Sequence, residues 1–325
     1  MEPIEFTPIL KCRRWGGRKL GERLGKSLGE RQDYAERWEI CDMGESQSVV
    51  QSGPYTGKTL HEIVQEFPAE LLGSHAGREQ FPLLLKYLDS HQASSLQVHP
   101  NDDQAMRIAG EQNGKTEAWV ILDAAPESWI YAGLKKGIGR NDFLKAIETG
   151  EVTSCLHRIE PKQGEVYYIP AGTIHSLGDG ILVAEIQQSS DLTFRIHDWG
   201  WVDKNGQPRE LHLKEALECI DFECGPVEPV SSGFSPTVDS KTSEFLIDSP
   251  YFQVERLLCS NSRTISEENQ CRILMVLEGA CKIATEATSY SCQTGSTLLL
   301  PASCPEVLIE SETSDGCQIL LTRVV

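Results

Sequence analysis

The stretch Gly164-Glu165-Val166-Tyr167-Tyr168-Ile169-Pro170-Ala171-Gly172-Thr173-Ile174-His175 decides how this chain is read. Val166, Tyr168 and their neighbours have the β-branched and aromatic character of a strand, Pro170 ends its hydrogen-bonding ladder, and Gly172 permits a turn that other residues resist. The pattern G-x5-P-x-G-x2-H thereby delivers His175 inward from the start of the next strand, as a small β-barrel presents a metal ligand. A lone histidine in such a hairpin is more often a core residue than a ligand, so the metal reading requires partners.

Partners occur upstream. In Ser95-Leu96-Gln97-Val98-His99-Pro100-Asn101-Asp102, Gln97 and His99 stand two apart, and on a strand both face the same side. In Gly114-Lys115-Thr116-Glu117-Ala118-Trp119-Val120-Ile121-Leu122, Lys115 and Glu117 share one face at the entry to an apolar strand. Taken singly, Gln97 reads as a surface or network amide and Glu117 as a solvated strand residue. Two neutral imidazoles, a carboxylate and an amide oxygen together make a borderline-hard donor set suited to Zn²⁺, with Mn²⁺, Fe²⁺ or Co²⁺ as substitutes. Such a set leaves a position open for water or substrate.

With those motifs in place the chain resembles the type I phosphomannose isomerases of the cupin superfamily, in their short bacterial form. The resemblance runs from Trp15-Gly16-Gly17 through Glu36-Arg37-Trp38-Glu39-Ile40 and Phe81-Pro82-Leu83-Leu84-Leu85-Lys86 to the Gln97, Lys115 and Pro170 segments. It ends with Phe194-Arg195-Ile196-His197-Asp198-Trp199-Gly200, so it spans about the first two-thirds of the chain in the family's order. It implies interconversion of mannose 6-phosphate and fructose 6-phosphate with one zinc per chain. Gln97, His99, Glu117 and His175 match the family's metal ligands, and Arg195 and Lys115 match residues assigned to its active site. Two departures are local. Ala35 and Arg37 flank Glu36 where a Gly-Glu-Ser-Trp pattern is usual, and Trp201 follows Trp199-Gly200 where a basic residue is common.

Aldose-ketose isomerisation moves a proton between C1 and C2 through an enediolate, whose charged oxygen a divalent cation stabilises. Arg195, always protonated, is suited to the phosphate or the developing oxyanion, and Lys115 to phosphate binding or to a part in proton transfer. Without the metal motif nearby both would read as surface ion-pair residues. Two other classes use similar ligands: an iron-dependent cupin oxygenase, and a sugar-binding cupin that has lost turnover. The presence of both Lys115 and Arg195 counts against the binding module.

The chain's 325 residues exceed what one core usually supports. A formal charge of −18 argues against nucleic acid or an anionic membrane as partner, and makes an anionic sugar phosphate depend on locally clustered Lys and Arg. The first residues, Met1-Glu2-Pro3-Ile4-Glu5-Phe6, lack the basic start and apolar run of a signal peptide, and no stretch reaches the length of a membrane span, so a cytoplasmic protein is expected. Eleven cysteines without close C-x-x-C pairs fit reduced thiols, most of them small core residues. A monomer or weak homo-oligomer is expected.

The expected architecture is mainly β: two cupin-type jelly-roll barrels with a few added helices. Thr59-x-x-Glu62 is a capping box before a helical run with Leu60, Ile63, Val64 and Phe67, and Leu213, Ala216, Leu217 and Ile220 repeat that spacing. A Pro/Gly-rich run marks residues 225–240 as a linker between a catalytic domain, 1–224, and a second cupin domain, 241–325. In the latter, Ile273-Leu274-Met275-Val276-Leu277-Glu278-Gly279 reads as a strand and turn. Gly295-x5-Pro301-x-Ser303-x2-Glu306 repeats the opening pattern with its second glycine and its histidine replaced. That degenerate repeat predicts a second barrel that binds no metal and supports the first.

Overall fold

Strand Ile181–Gln188 is buried along its whole length, and so is Leu83–Ser90 beside it. A strand with one face in water would alternate; these two do not, because both of their faces are covered. They form the centre of a seven-stranded antiparallel sheet in the order Ser231–Ser232, Glu165–Ile169, Glu117–Ala124, Ile181–Gln188, Leu83–Ser90, Tyr34–Ile40 and Ile9–Gly17. This computed structural model describes residues 1–232, 243–304 and 306–325.

One face of that sheet looks toward a five-stranded sheet ordered Leu156–Ile159, Ile130–Leu134, His175–Leu177, Leu96–Val98 and Phe194–His197. Trp119, Ile121, Tyr167, Val183 and Leu177 pack between the two. The opposite face carries Leu83, Leu85, Tyr87, Val120 and Ala184, and these share one continuous core with Phe252, Val254, Ile273, Met275 and Leu320 of the C-terminal half. That half repeats the design, with a five-stranded sheet containing Phe252–Cys259 and Arg272–Glu278 and a four-stranded sheet containing Ala280–Ala284 and Glu306–Ser311. The mainly β, double cupin architecture is therefore as expected, and the inner sheet of the first half is shared as a wall between the two cores.

The capping box at Thr59 is formed, with Glu62 N donating to Thr59 Oγ1 at 3.1 Å, and it opens helix Leu60–Glu66. Helix Leu213–Cys219 covers the second expected run. Helices Asp102–Ala109 and Arg140–Glu148 are additional; the first starts with a reciprocal cap between Asn101 and Gln104, a signal present in the sequence. All eleven cysteines are free, and all but Cys12 and Cys224 are buried, as small core residues are. Of the expected linker, residues 233–240 lie outside the described residues. Its earlier part lies along the first barrel, where Val230 N donates to Val166 O at 2.7 Å and Ser231–Ser232 pairs with Glu165 and Val166. Among the described residues no helix is long and apolar enough to cross a membrane.

Candidate functional site

The turn after Pro170 works as its residue types dictate. Thr173 N closes on Pro170 O at 3.1 Å, and Gly172 sits at φ +89°, where a side chain is strained and would meet Cys219 O at 3.1 Å. Gly172 N also donates to His99 O at 2.9 Å, so one turn fixes the positions of two histidines. Strand His175–Leu177 then begins directly opposite Gln97, and Gln97 has Arg195 as its partner on the other side. Three of the expected residues, His175, Gln97 and Arg195, thus form one row across the five-stranded sheet. Glu117 enters from the facing sheet as the first residue of Glu117–Ala124.

The structure brings the four expected ligands together. His99, Glu117 and His175 each offer an atom, and the three lie within 4.8 Å of one another; all are buried. His175 Nδ1 donates to Thr173 O at 2.9 Å and His99 Nδ1 to Leu192 O at 2.8 Å. Each backbone carbonyl fixes the ring and frees Nε2, the arrangement that metal-ligating histidines use. His175 Nε2 lies 3.4 Å from Glu117 Oε1 and 3.2 Å from the Gln97 amide nitrogen. An amide turned about its terminal bond presents its oxygen at that same point. His99 stands just beyond strand Leu96–Val98, yet it reaches the same centre as Gln97.

Lys115 Nζ lies 2.5 Å from Glu117 Oε2 and 2.9 Å from His99 Nε2. Glu117 Oε1, in contrast, is buried without a hydrogen-bond partner. A buried carboxylate oxygen that lacks a donor is costly unless something cationic reaches it, so the residues present fit a divalent metal ion. Burial, reinforced by the Lys115 charge, holds His175 down to about 4, and burial holds His99 well below its usual range, so both rings are neutral and ready to coordinate near pH 7. Burial and then the neighbouring Glu185 push Glu117 up to about 7, against the pull of Lys115.

A pocket of about 400 Å³ opens over this cluster, with Gln97, Lys115, His175 and Arg195 in its wall. Three further charges in its wall, Lys86, Glu185 and Glu36, are paired with one another, and none of them was an expected site residue. Lys86 Nζ lies 3.0 Å from Glu185 Oε1 and 3.5 Å from Glu36 Oε2, Trp119 Nε1 donates to Glu185 Oε2 at 2.9 Å, and Trp38 Nε1 donates to Glu36 Oε2 at 2.7 Å. Burial opposes ionisation of Glu185, but Lys86 and Lys115 hold it below the usual carboxylate range. The sequence signal was available: a charged residue flanked by apolar ones within each strand, Lys86 in LLLKYLDS and Glu185 in ILVAEIQQ. Of the two departures, Arg37 pairs with Glu39, and Trp201 lies under two arginines.

Residues 4–124 match the model of the phosphomannose isomerase type I catalytic domain, and residues 241–314 that of the mannose-6-phosphate isomerase cupin domain. The mannose-6-phosphate isomerase ManA of Bacillus subtilis (strain 168) is 35% identical over 309 residues, covering 95% of this chain and 96% of that protein. The chain belongs to the type I phosphomannose isomerases. It is therefore an enzyme of the isomerase class. The mannose-6-phosphate isomerase of Streptococcus mutans serotype c is 31% identical over 304 residues, 92% of each chain. The crystal structure of the mannose 6-phosphate isomerase from Bacillus subtilis superposes with a TM-score of 0.88 at 31% identity, covering 100% of both chains.

Proposed function

We propose that this pocket interconverts mannose 6-phosphate and fructose 6-phosphate, with one zinc ion per chain held by Gln97, His99, Glu117 and His175. The observation that carries this reading is the convergence of His99, Glu117 and His175 donor atoms within 4.8 Å at the base of a pocket that also presents Lys115 and Arg195. When bound, the metal supplies Lewis-acid stabilisation for negative charge on a sugar oxygen. Lys115, 2.5 Å from Glu117, places a cation beside the carbonyl end of the sugar, where charge develops as the proton leaves C2 for C1 through an enediolate. Arg195, one strand away from Gln97, fixes the sugar's orientation from the other side. Trp119 walls the pocket with an apolar face and keeps its indole N–H on Glu185, limiting water around the reacting carbons.

Residues 1–224 are read as the catalytic domain and 241–325 as a metal-free support, joined by 225–240. Because the chemistry leaves no net oxidation, turnover is indifferent to oxygen, which separates this reading from an iron oxygenase. The test is conversion of mannose 6-phosphate by purified protein, before chelation, after chelation, and after zinc is restored. Loss on chelation and recovery with zinc is the expected result. A folded, zinc-loaded protein that leaves mannose 6-phosphate unchanged contradicts it.

A further inference from the structure

The lysines and arginines of the pocket are not used alike. At the metal end each lysine is matched: Lys115 with Glu117, and Lys86 with Glu36 and Glu185. At the other end Arg14 and Arg209 pair with one carboxylate, Asp198, whose charge also acts on the neighbouring Arg195. Arg14 Nη2 donates to Asp198 Oδ1 at 2.7 Å, Arg209 Nε to Oδ2 at 2.7 Å, and Arg209 Nη2 also reaches Oδ1. Against these three cations stand Asp198 and the exposed carboxylate of Glu210, so the cluster keeps an excess of positive charge. Asp191, the other acid on this rim, acts on Lys86 instead.

The chain builds this cluster through a hairpin that follows strand Phe194–His197. Trp199 and Gly200 take left-handed conformations at φ +54° and +73°, and reverse the backbone after Asp198. Asp203 Oδ1 then accepts from Asn205 N and Gln207 N, each at 2.8 Å, while Val202 bridges Pro208. This returns Arg209 to the side of Asp198. The ring of Trp201 lies 5.3 Å from the Arg14 guanidinium carbon and 5.5 Å from that of Arg209, so it braces both cations. Trp201 is the residue that stands where a basic side chain is common in the family. Here the positive charge is supplied from Arg209 and carried over the indole.

The donors are unevenly spent. Arg209 uses Nε and Nη2 on Asp198, and its Nη1 has no protein acceptor among the described residues. Arg195 Nη1 donates to Glu210 O at 2.8 Å, whereas its Nε is buried without a partner. Burial, and next the Arg209 charge, pull Arg195 below its usual range, and Asp198 and Glu210 offset that pull only in part. Both Arg195 and Arg209 line the same pocket as Gln97 and His175. A phosphate monoester near neutral pH carries close to two negative charges and three acceptor oxygens, which suits a cationic cluster with unpaired N–H groups.

We infer that Arg209, held by Asp198 and braced on Trp201, binds the phosphate of the substrate together with Arg195, so that Arg209 sets the preference for a phosphorylated sugar. This rests on the isomerase reading above. In this arrangement the phosphate lies at the arginine end and C1 and C2 at the metal end, four carbon–carbon bonds separating C2 from C6. Asp198 and Trp201 are positioning residues for Arg209.

Two readouts on the zinc-loaded full chain test it. In Arg209→Gln, the KM for mannose 6-phosphate is expected to rise about 10- to 100-fold while kcat changes less than about threefold, because an interaction made equally in ground and transition states is lost. The affinity for inorganic phosphate, measured by calorimetry, is expected to fall at least about tenfold. Arg209→Lys, which keeps a cation beside Asp198, is expected to fold with wild-type stability and to recover part of both losses; it also serves if the glutamine variant is unstable. An unchanged KM and unchanged phosphate affinity in a folded variant overturn the inference, as does a fall in kcat with KM unaltered. Should the wild-type protein fail to isomerise mannose 6-phosphate, the isomerase reading falls, and the phosphate calorimetry still decides whether Arg209 is an anion site.

Discussion

Two turns of one design close the two halves of this molecule. Gly164 and Gly295 take φ +84° and +82°, strands Glu165–Ile169 and Thr297–Leu300 follow, and Pro170 and Pro301 each end a strand and accept from the amide three residues on, at 3.1 and 2.9 Å. The next strands then begin at His175 and Glu306. His175 is buried against His99 and Glu117, whereas Glu306 is exposed. The backbone device is the same and the chemistry is not, since a cupin turn only aims a side chain and the interior must supply the rest. The interior of the first half holds Lys86, Lys115, Glu117 and Glu185, mutually paired, around a pocket of about 400 Å³. The corresponding centre of the second half is filled by Leu274, Val276, Ile283, Leu298, Ile309 and Ile319. Paired charges with room between them make a site, and close-packed aliphatics make a wall.

The comparison can be attacked at either end. The largest effect is expected from His175→Ala, which removes one of the proposed metal ligands of the first half. Metal content measured by mass spectrometry should fall well below one per chain, and turnover should drop about a thousandfold, the equivalent of several kcal/mol of charge stabilisation. Next comes the shared wall. Phe252 is fully buried in the core common to both halves, so Phe252→Ala should cost about 3–5 kcal/mol in denaturant unfolding while the surviving folded protein keeps its metal. Glu185→Gln, which keeps the shape but discharges the partner of Lys86 and Trp119, should lower turnover about 10- to 100-fold with the metal retained. The smallest effect belongs to Glu306→Ala, with a stability change within about 0.5 kcal/mol and unaltered turnover; a clear loss of metal there would break the comparison.

Much of this was legible in the chain. The residue pairs two apart, Gln97 with His99 and Lys115 with Glu117, announced a common face, and the proline and glycine around Pro170 announced the turn that lowers His175 into it. The second turn was readable because Ser303 and Glu306 replace the glycine and histidine. The through-space partners were not. Lys86 and Glu185 sit in apolar strands, which signals a buried ion, but their pairing depends on the sheet register that sets Glu185 opposite Lys86. Arg209 was hidden for the same reason. It reaches Asp198 only because a left-handed turn at Trp199 and a short hairpin fold back on the strand, and no periodicity records that return. The helix Asp102–Ala109 did carry a local signal, the reciprocal Asn101 and Gln104 cap.

The most direct test of the division of labour is a zinc titration of metal-stripped protein, following bound metal and turnover of mannose 6-phosphate in the same samples. Turnover that rises in proportion to bound zinc and reaches its plateau at one ion per chain is the predicted result. A plateau at two ions, or turnover already complete in the stripped protein, would contradict a single metal centre in the first half as the source of activity.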